Sequence, residues 1–208
     1  MKEIKPYNDL PTALHSLDNG GRFFNFFTRE DDGHITAAEI EKVAGLYGGK
    51  QKAILYLDLA TARLSPADQQ KIISSLDNDA KHAYEKYKSF SISAAEAKLV
   101  SEKNQNVILT GVAKHTDSKS GLNGFIIVPL MTGTVMTMIP VPIMDQYDIY
   151  EFRTEGSDEY FLVAHDKGTG KLPSGQLRVA GIIKEFHLGD DQKELRPYLE
   201  IAFYHPVS

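Results

Sequence analysis

The chain has no cysteine among its 208 residues. This absence excludes disulfide bonds, thiolate zinc sites and a cysteine nucleophile. It fits the reducing cytoplasm, the location we expect, and a periplasmic protein trimmed of its signal peptide would have the same composition. The opening residues, Met1 to Asn8, contain no apolar run of the kind that a secretory signal requires.

An excess of positive charge is also absent. The chain has 23 Lys and Arg against 28 Asp and Glu, giving a formal net charge of −5. Proteins that bind nucleic acids take much of their affinity from phosphate neutralisation and usually carry a basic excess. The charge balance therefore argues against nucleic acid and favours a protein partner or a small ligand. The sequence specifies no oligomeric state.

A membrane-spanning helix is not expected either. Residues 124–144 are 21 consecutive residues without a charge, but Pro129, Pro140 and Pro142 would break a helix repeatedly. Two β-rich runs lie on either side of Thr132-Gly133. The stretch therefore predicts a buried hairpin.

Apolar residues repeat at helical spacing through the first hundred residues. Ile40, Val43, Ala44 and Tyr47, for example, occupy one face of a helix. Helices are predicted around 10–17, 40–47, 51–60, 66–76 and 80–87. Ser93 begins a capping-box sequence that predicts one more short helix.

From about residue 103 the pattern changes to short β-rich runs separated by turn residues. Strands are predicted near 107–115, 124–130, 135–142, 147–155, 159–165, 176–187 and 197–205. The fold class is therefore α+β: a helical domain at 1–102, followed by an all-β small barrel or sandwich at 103–208.

The segment 24–40 has the residue pattern of a calcium-binding loop. Gly33 is followed by the aliphatic Ile35 and by Glu39, and two aromatic residues, Phe24 and Phe27, precede the loop. This pattern resembles the EF-hand, in which a 12-residue loop bends at a glycine and ends on a bidentate glutamate. The ligands that the resemblance implies are Thr28, Glu30, Asp32, His34 through its carbonyl, Thr36 and Glu39, and the implied cofactor is calcium.

The resemblance is degenerate. Thr28 stands where the family has aspartate, which should weaken calcium binding. A second, carboxylate-poor copy follows at an offset of 29 residues, and paired EF-hands would join Ile35 to Leu64. The same residues also have a simpler interpretation, because Thr36-x-x-Glu39 and Ser65-Pro66-Ala67-Asp68 are ordinary helix-capping sequences.

The β half is loosely similar to oligonucleotide-binding (OB) barrels, in which exposed tyrosines can stack bases. The tyrosines that would do so are Tyr147, Tyr160, Tyr198 and Tyr204. Four histidines near strand ends are candidates for a site if the fold brings them together: His115, His165, His187 and His205. No nucleophile elbow, dinucleotide fingerprint or zinc spacing is present.

The function that these patterns favour is that of a non-enzymatic binding or regulatory protein. Its degenerate EF-hand lobe would bind calcium weakly or not at all, and its β domain would recognise a protein or a small ligand. Two alternatives stay open: an OB-like nucleic-acid-binding protein, and an enzyme whose site lies between the two halves.

Overall fold

The structure is a computed structural model, and it describes residues 1–18, 32–46, 48–97, 103–116, 124–132, 135–188 and 194–207. It confirms the α+β class, with helices followed by a mixed β-sheet that closes a partial ring of strands. Two compact units are present, Glu3–Phe90 and Met1–Lys2 with Ser91–Ser208. The division into domains 1–102 and 103–208 stays a prediction.

The helical unit contains five described helices at the predicted places. They are α1 (Leu10–Asp18), α2 (Ala37–Ala44), α3 (Lys50–Thr61), α4 (Pro66–Ser75) and α5 (Asn78–Tyr87). Thr36, Ser65 and Asp77 begin α2, α4 and α5, because each side chain accepts a hydrogen bond from a backbone N–H in the first turn. Helix α3 lies at the centre of the unit and is buried on several sides, from Ala53 to Leu57 and again from Leu59 to Thr61.

The predicted pairing of Ile35 with Leu64 is wrong. Ile35 forms a parallel β-bridge with Leu76 instead, through hydrogen bonds to the backbone of Ser75 and Asp77. Leu64 is unable to extend, since its N–H closes a tight turn onto the Thr61 carbonyl directly before α4. Leu76 follows α4 in an extended conformation and donates its own N–H to the Ile73 carbonyl, while the flanking Ser75 carbonyl and Asp77 N–H bond to Ile35.

The β unit contains two short helices, α6 (Ala94–Ala97) and α7 (Ile143–Gln146). The strands are β1 (Lys2–Glu3), β2 (Phe90–Ile92), β3 (Asn106–His115), β4 (Gly124–Thr132), β5 (Val135–Pro142), β6 (Tyr147–Arg153), β7 (Tyr160–Asp166), β8 (Gln176–Leu188) and β9 (Glu194–Pro206). The seven strands that the sequence predicts are confirmed, with ends displaced by a few residues.

Five strands close the ring in the order β3, β6, β7, β9, β8 and back to β3. Only the β7–β9 pair is parallel among these neighbours. The ring closes tightly at a bulge next to Gly181, where a Cβ atom would overlap the backbone oxygen of Glu200. Glycine is therefore required there by the close approach of two strands.

Both faces of the ring carry apolar clusters. The inner cluster includes Phe152, Val163, Val179 and Leu199, each at most 1% exposed. A smaller cluster on the opposite strand faces contains Phe186 and Tyr198, together with Ile143, Ile149 and Ala164. Part of the outer surface of the ring is consequently buried.

Strands β4 and β5 form the hairpin that the uncharged segment predicts. The prediction that this hairpin is buried is wrong, because Ile127, Met131 and Met136 are 41%, 63% and 60% exposed. Among the described residues, β4 pairs with β8 at Gly124 and Phe125, whereas Phe125 to Thr132 pair with β5. The two strands therefore leave the ring as a two-stranded ribbon. Among the described residues, no helix has the length and hydropathy needed to cross a membrane.

Candidate functional site

The loop before α2 bends at Gly33, as the sequence predicts. Gly33 has a φ of 82°, in the left-handed region that glycine adopts without strain. The His34 N–H donates to Asp32 Oδ1 at 2.9 Å, which closes a local turn. Ile35 then enters the bridge to Leu76, so that both sides of the bend are held by hydrogen bonds.

A carboxylate that the sequence did not single out completes this bend. Asp18, the last residue of α1, is only 8% exposed, and its Oδ2 accepts a hydrogen bond from the Gly33 N–H at 3.0 Å. Asp18 lies fifteen residues before Gly33, outside the 12-residue loop, and no local spacing connects the two positions. The fold therefore adds an acidic side chain to a segment in which Thr28 replaces the expected aspartate.

Glu39 is the second buried carboxylate of the site, with 1% of its surface exposed. Its Oε2 accepts the Thr36 N–H at 2.9 Å and the Thr36 hydroxyl at 2.8 Å. The Glu39 N–H in turn donates to the Thr36 hydroxyl, which completes a capping box. The predicted cap is thus present, and it uses one of the two glutamate oxygens.

The other oxygen of each carboxylate lacks a partner. Within the described part of the chain, Asp18 Oδ1 and Glu39 Oε1 are buried without a hydrogen bond. Burial raises the pKa of Glu39; the hydrogen bonds from Thr36 oppose this, and the negative charges of Asp18 and Asp32 add to it. Buried carboxylates are normally paired with a counter-charge or bind a metal ion.

The six predicted calcium ligands differ in their exposure and in their hydrogen bonds. Thr28 and Glu30 lie outside the described residues. Asp32 and His34 are exposed beside the bend. Thr36 is engaged in the cap, and Glu39 keeps one buried oxygen without a hydrogen bond.

The second copy of the motif is a cap without a site. Ser65 accepts a hydrogen bond from the Asp68 N–H, as Thr36 does from Glu39. The Asp68 carboxylate, however, is 31% exposed and binds Lys71 at 3.1 Å. Hydrogen bonds from Ser65 and the interaction with Lys71 lower the pKa of Asp68. The two motifs therefore differ in burial and charge compensation, whereas the Thr36 and Ser65 side chains accept the same kind of hydrogen bond at the helix start.

The histidines of the β unit do not form one site. His115 and His165 lie on either side of Tyr150, whereas His187 and His205 pair with Leu195 and Arg178 elsewhere in the sheet. In the described ranges no group of three or more histidine or acidic side chains is arranged to hold a metal.

His165 has a structural role. It is fully buried, its Nε2 lies 3.2 Å from the Tyr150 hydroxyl, and its Nδ1 lies 3.1 Å from the Thr169 hydroxyl. The Tyr150 hydroxyl also accepts the Leu172 N–H. Burial lowers the pKa of His165, which keeps the ring neutral within this network.

The predicted base-stacking surface is only partly present. Tyr198 is 3% exposed and belongs to the outer cluster of the ring, so the expectation that it is exposed is wrong. Tyr147 packs against the same cluster. Tyr160 is 39% exposed, with the Arg153 guanidinium 5.6 Å from the centre of its ring.

The fold and the site define an α+β protein with a buried pair of carboxylates in its helical unit. Comparison with models of known protein families and with curated protein sequences gives no match.

Proposed function

We propose that the protein is a non-enzymatic binding or regulatory protein whose helical unit binds a divalent cation, with calcium as the first candidate. The single observation that carries this proposal is the pair of buried, unpartnered oxygens on Asp18 and Glu39. The β unit would supply the surface that recognises a protein or a small ligand.

The choice of cation follows from the atoms at the site. The polar side-chain groups with buried or partly buried atoms at the Gly33 bend are the Asp18 and Glu39 carboxylates and the Thr36 hydroxyl, and oxygen ligands favour calcium or magnesium over zinc or copper. Calcium tolerates irregular geometry and six to eight ligands, whereas magnesium demands a near-ideal octahedron. The two buried carboxylates, which come from the end of α1 and the start of α2, therefore fit calcium better.

The Asp18 carboxylate answers the main objection to calcium binding. The loop has lost its first acidic ligand at Thr28, but the fold holds Asp18 on the Gly33 N–H. Asp18, at the end of α1, would therefore supply the negative charge that the loop lacks at Thr28. Glu39, with Oε2 engaged in the cap, would offer one oxygen rather than two, so we expect weak binding.

Isothermal titration calorimetry with calcium tests the proposal. Native protein should give a saturable heat, and both Glu39→Gln and Asp18→Asn should remove it. Glutamine retains an acceptor for the Thr36 N–H, and asparagine retains one for the Gly33 N–H, so both hydrogen bonds can be kept while the charge is lost. Circular dichroism verifies that the variants are folded.

Asp68→Asn is the matched control. It removes a carboxylate from the equivalent position of the second capping motif, which has no buried unpartnered oxygen, and it should leave calcium binding unchanged. The cation proposal is rejected if native protein gives no heat at millimolar calcium, or if Glu39→Gln binds as tightly as native protein.

The ring of strands supports a second candidate, an OB-like protein that binds single-stranded nucleic acid. Five strands with Greek-key connections agree with that fold, and Tyr160 with Arg153 presents an aromatic and cationic surface. Fluorescence anisotropy with labelled single-stranded DNA and RNA at low salt tests it. Binding should weaken with added salt and with Tyr160→Ala; the absence of salt-sensitive binding removes this candidate.

A further inference from the structure

The ribbon of β4 and β5 exposes an unusual number of methionines. Met131, Met136 and Met138 are 63%, 60% and 60% exposed, and they are three of the five methionines in the chain. Methionine is normally among the more buried residue types. No charged side chain occurs between Gly124 and Met144, so the thioethers have no ionic neighbour within the ribbon.

The strand register places all three methionines on one face. Met131 is directly opposite Met136, and Met138 is opposite Pro129. Side chains of opposed residues share a face of the sheet, as do side chains two residues apart. Met131, Met136 and Met138 therefore project in the same direction.

Prolines identify the type of pair that the methionines form. The pairs Phe125–Pro142, Ile127–Pro140 and Pro129–Met138 each contain a proline, which has no N–H to donate across the ribbon. In an antiparallel ladder every second pair is non-hydrogen-bonded, and its side chains lie closer, with Cα atoms about 4.5 Å apart. Met131–Met136 is the next pair of this series and therefore has the closer spacing.

Met138 is the diagonal neighbour of Met131 on that face. Diagonal neighbours are about 7–8 Å apart at the backbone, within reach of long flexible side chains. Methionine has three rotatable side-chain bonds and is unbranched. The three sulfur atoms can consequently converge on one point above the ribbon without any change in the strand pairing.

We propose that Met131, Met136 and Met138 form a three-thioether site for a soft monovalent cation of the copper(I) or silver(I) class. Thioether sulfur is a soft ligand that selects copper(I) over calcium, magnesium or zinc. It is uncharged and needs no deprotonation. The chain has no cysteine to compete for the ion. The site is independent of the proposed calcium site, which uses hard oxygen ligands in the helical unit.

Silver(I) is a redox-inert probe for this site. Full-length protein labelled with ¹³C at the methionine methyl groups is titrated with silver nitrate in chloride-free buffer and followed by ¹H–¹³C correlation spectra. The methyl signals of Met131, Met136 and Met138 should shift together and saturate at one equivalent. The signals of Met1 and Met144 should not move.

Leucine variants separate ligation from apolar character. Met131→Leu, Met136→Leu and Met138→Leu keep the volume and hydrophobicity of each side chain but remove its sulfur. Each should abolish the saturable shift of the other two methyl groups. Met144→Leu, in the half-buried α7, is the control and should leave silver binding unchanged.

Competition with a chromogenic copper(I) chelator under anaerobic, reducing conditions extends the test to copper, and the native protein should withdraw one copper(I) per chain. The proposal is overturned if the methyl signals shift in proportion to their solvent exposure and do not saturate with silver. It is also overturned if a single leucine variant still binds one silver ion with unchanged affinity. Either result would leave the ribbon as an apolar surface only.

Discussion

Replacing Asp58 by asparagine should stabilise the protein at neutral pH and have no effect in acid. The Asp58 carboxylate lies in α3, and its Oδ2 accepts the Ser89 N–H at 2.7 Å. Burial raises the pKa of Asp58 from 3.8 to about 6, and the interaction with Ser89 opposes this only in part. The folded protein therefore binds the Asp58 proton more tightly than the unfolded protein does.

The size and sign of the effect follow from linkage. A difference of about two pKa units between the folded and unfolded states corresponds to about 3 kcal/mol. Because the folded-state pKa is the higher one, this stability is fully present below about pH 4 and is lost as the pH rises through about 6. Asparagine keeps an acceptor for Ser89 without the charge, so the variant avoids this loss.

Urea unfolding at pH 4, 5, 6 and 7, followed by circular dichroism, measures the difference. The unfolding free energy of Asp58→Asn should exceed that of native protein by up to about 3 kcal/mol at pH 7, and the two should coincide near pH 4. Subtracting the two curves cancels groups common to both proteins, Glu39 included. Parallel curves over the whole range would refute the assignment of a raised pKa to Asp58.

Three further substitutions test the packing. Gly181→Ala should lower the urea midpoint by an amount equivalent to about 1–3 kcal/mol or more, because the new methyl group meets the Glu200 backbone; a midpoint equal to that of native protein would contradict the close approach. Leu76→Ala should cost about 2–5 kcal/mol in the same assay, since the side chain is 1% exposed. Lys50→Ala should leave the urea midpoint nearly unchanged, because its ion pair with Asp79 is half exposed and screened by solvent, and a clear loss would show that the pair is structurally important.

Local rules predicted most of the fold. Helices α2 and α4 begin after Thr36 and Ser65, because these side chains accept hydrogen bonds from the first backbone N–H groups. All the atoms involved lie within four consecutive residues. The ribbon of β4 and β5 was predicted because prolines exclude a continuous helix there. Helix caps and proline positions depend on residues that are close in the sequence, so the sequence alone predicts them.

Features set by tertiary packing were missed. The bridge from Ile35 goes to Leu76 because α4 ends in an extended residue, and the internal repeat pointed to Leu64 instead. Tyr198 alternates with core residues on β9, as an exposed residue would, but a second apolar cluster covers it. Asp18 was overlooked because fifteen residues separate it from Gly33.

The two capping motifs show why a loop sequence alone does not identify a cation site. Thr36 and Ser65 each accept a hydrogen bond from the N–H three residues further on, at Glu39 and Asp68. Only the first has a buried acidic neighbour, Asp18, whose position is fixed by the fold. The presence of Asp18 thus makes the common Thr36–Glu39 cap a candidate cation site. The effect on stability of removing the Asp18 charge should therefore depend on calcium.

Asp18→Asn should reverse the sign of its effect when calcium is added. Without calcium, the variant removes one of two buried carboxylates that lack a full set of partners, so its melting temperature should equal or exceed that of native protein. With calcium at about 100 times the dissociation constant, binding should stabilise native protein by about 2.7 kcal/mol. The variant lacks the ligand and should gain little. Thermal unfolding of both proteins in excess EGTA and in calcium measures the crossover, and equal calcium-induced shifts for the two would show that the ion binds elsewhere.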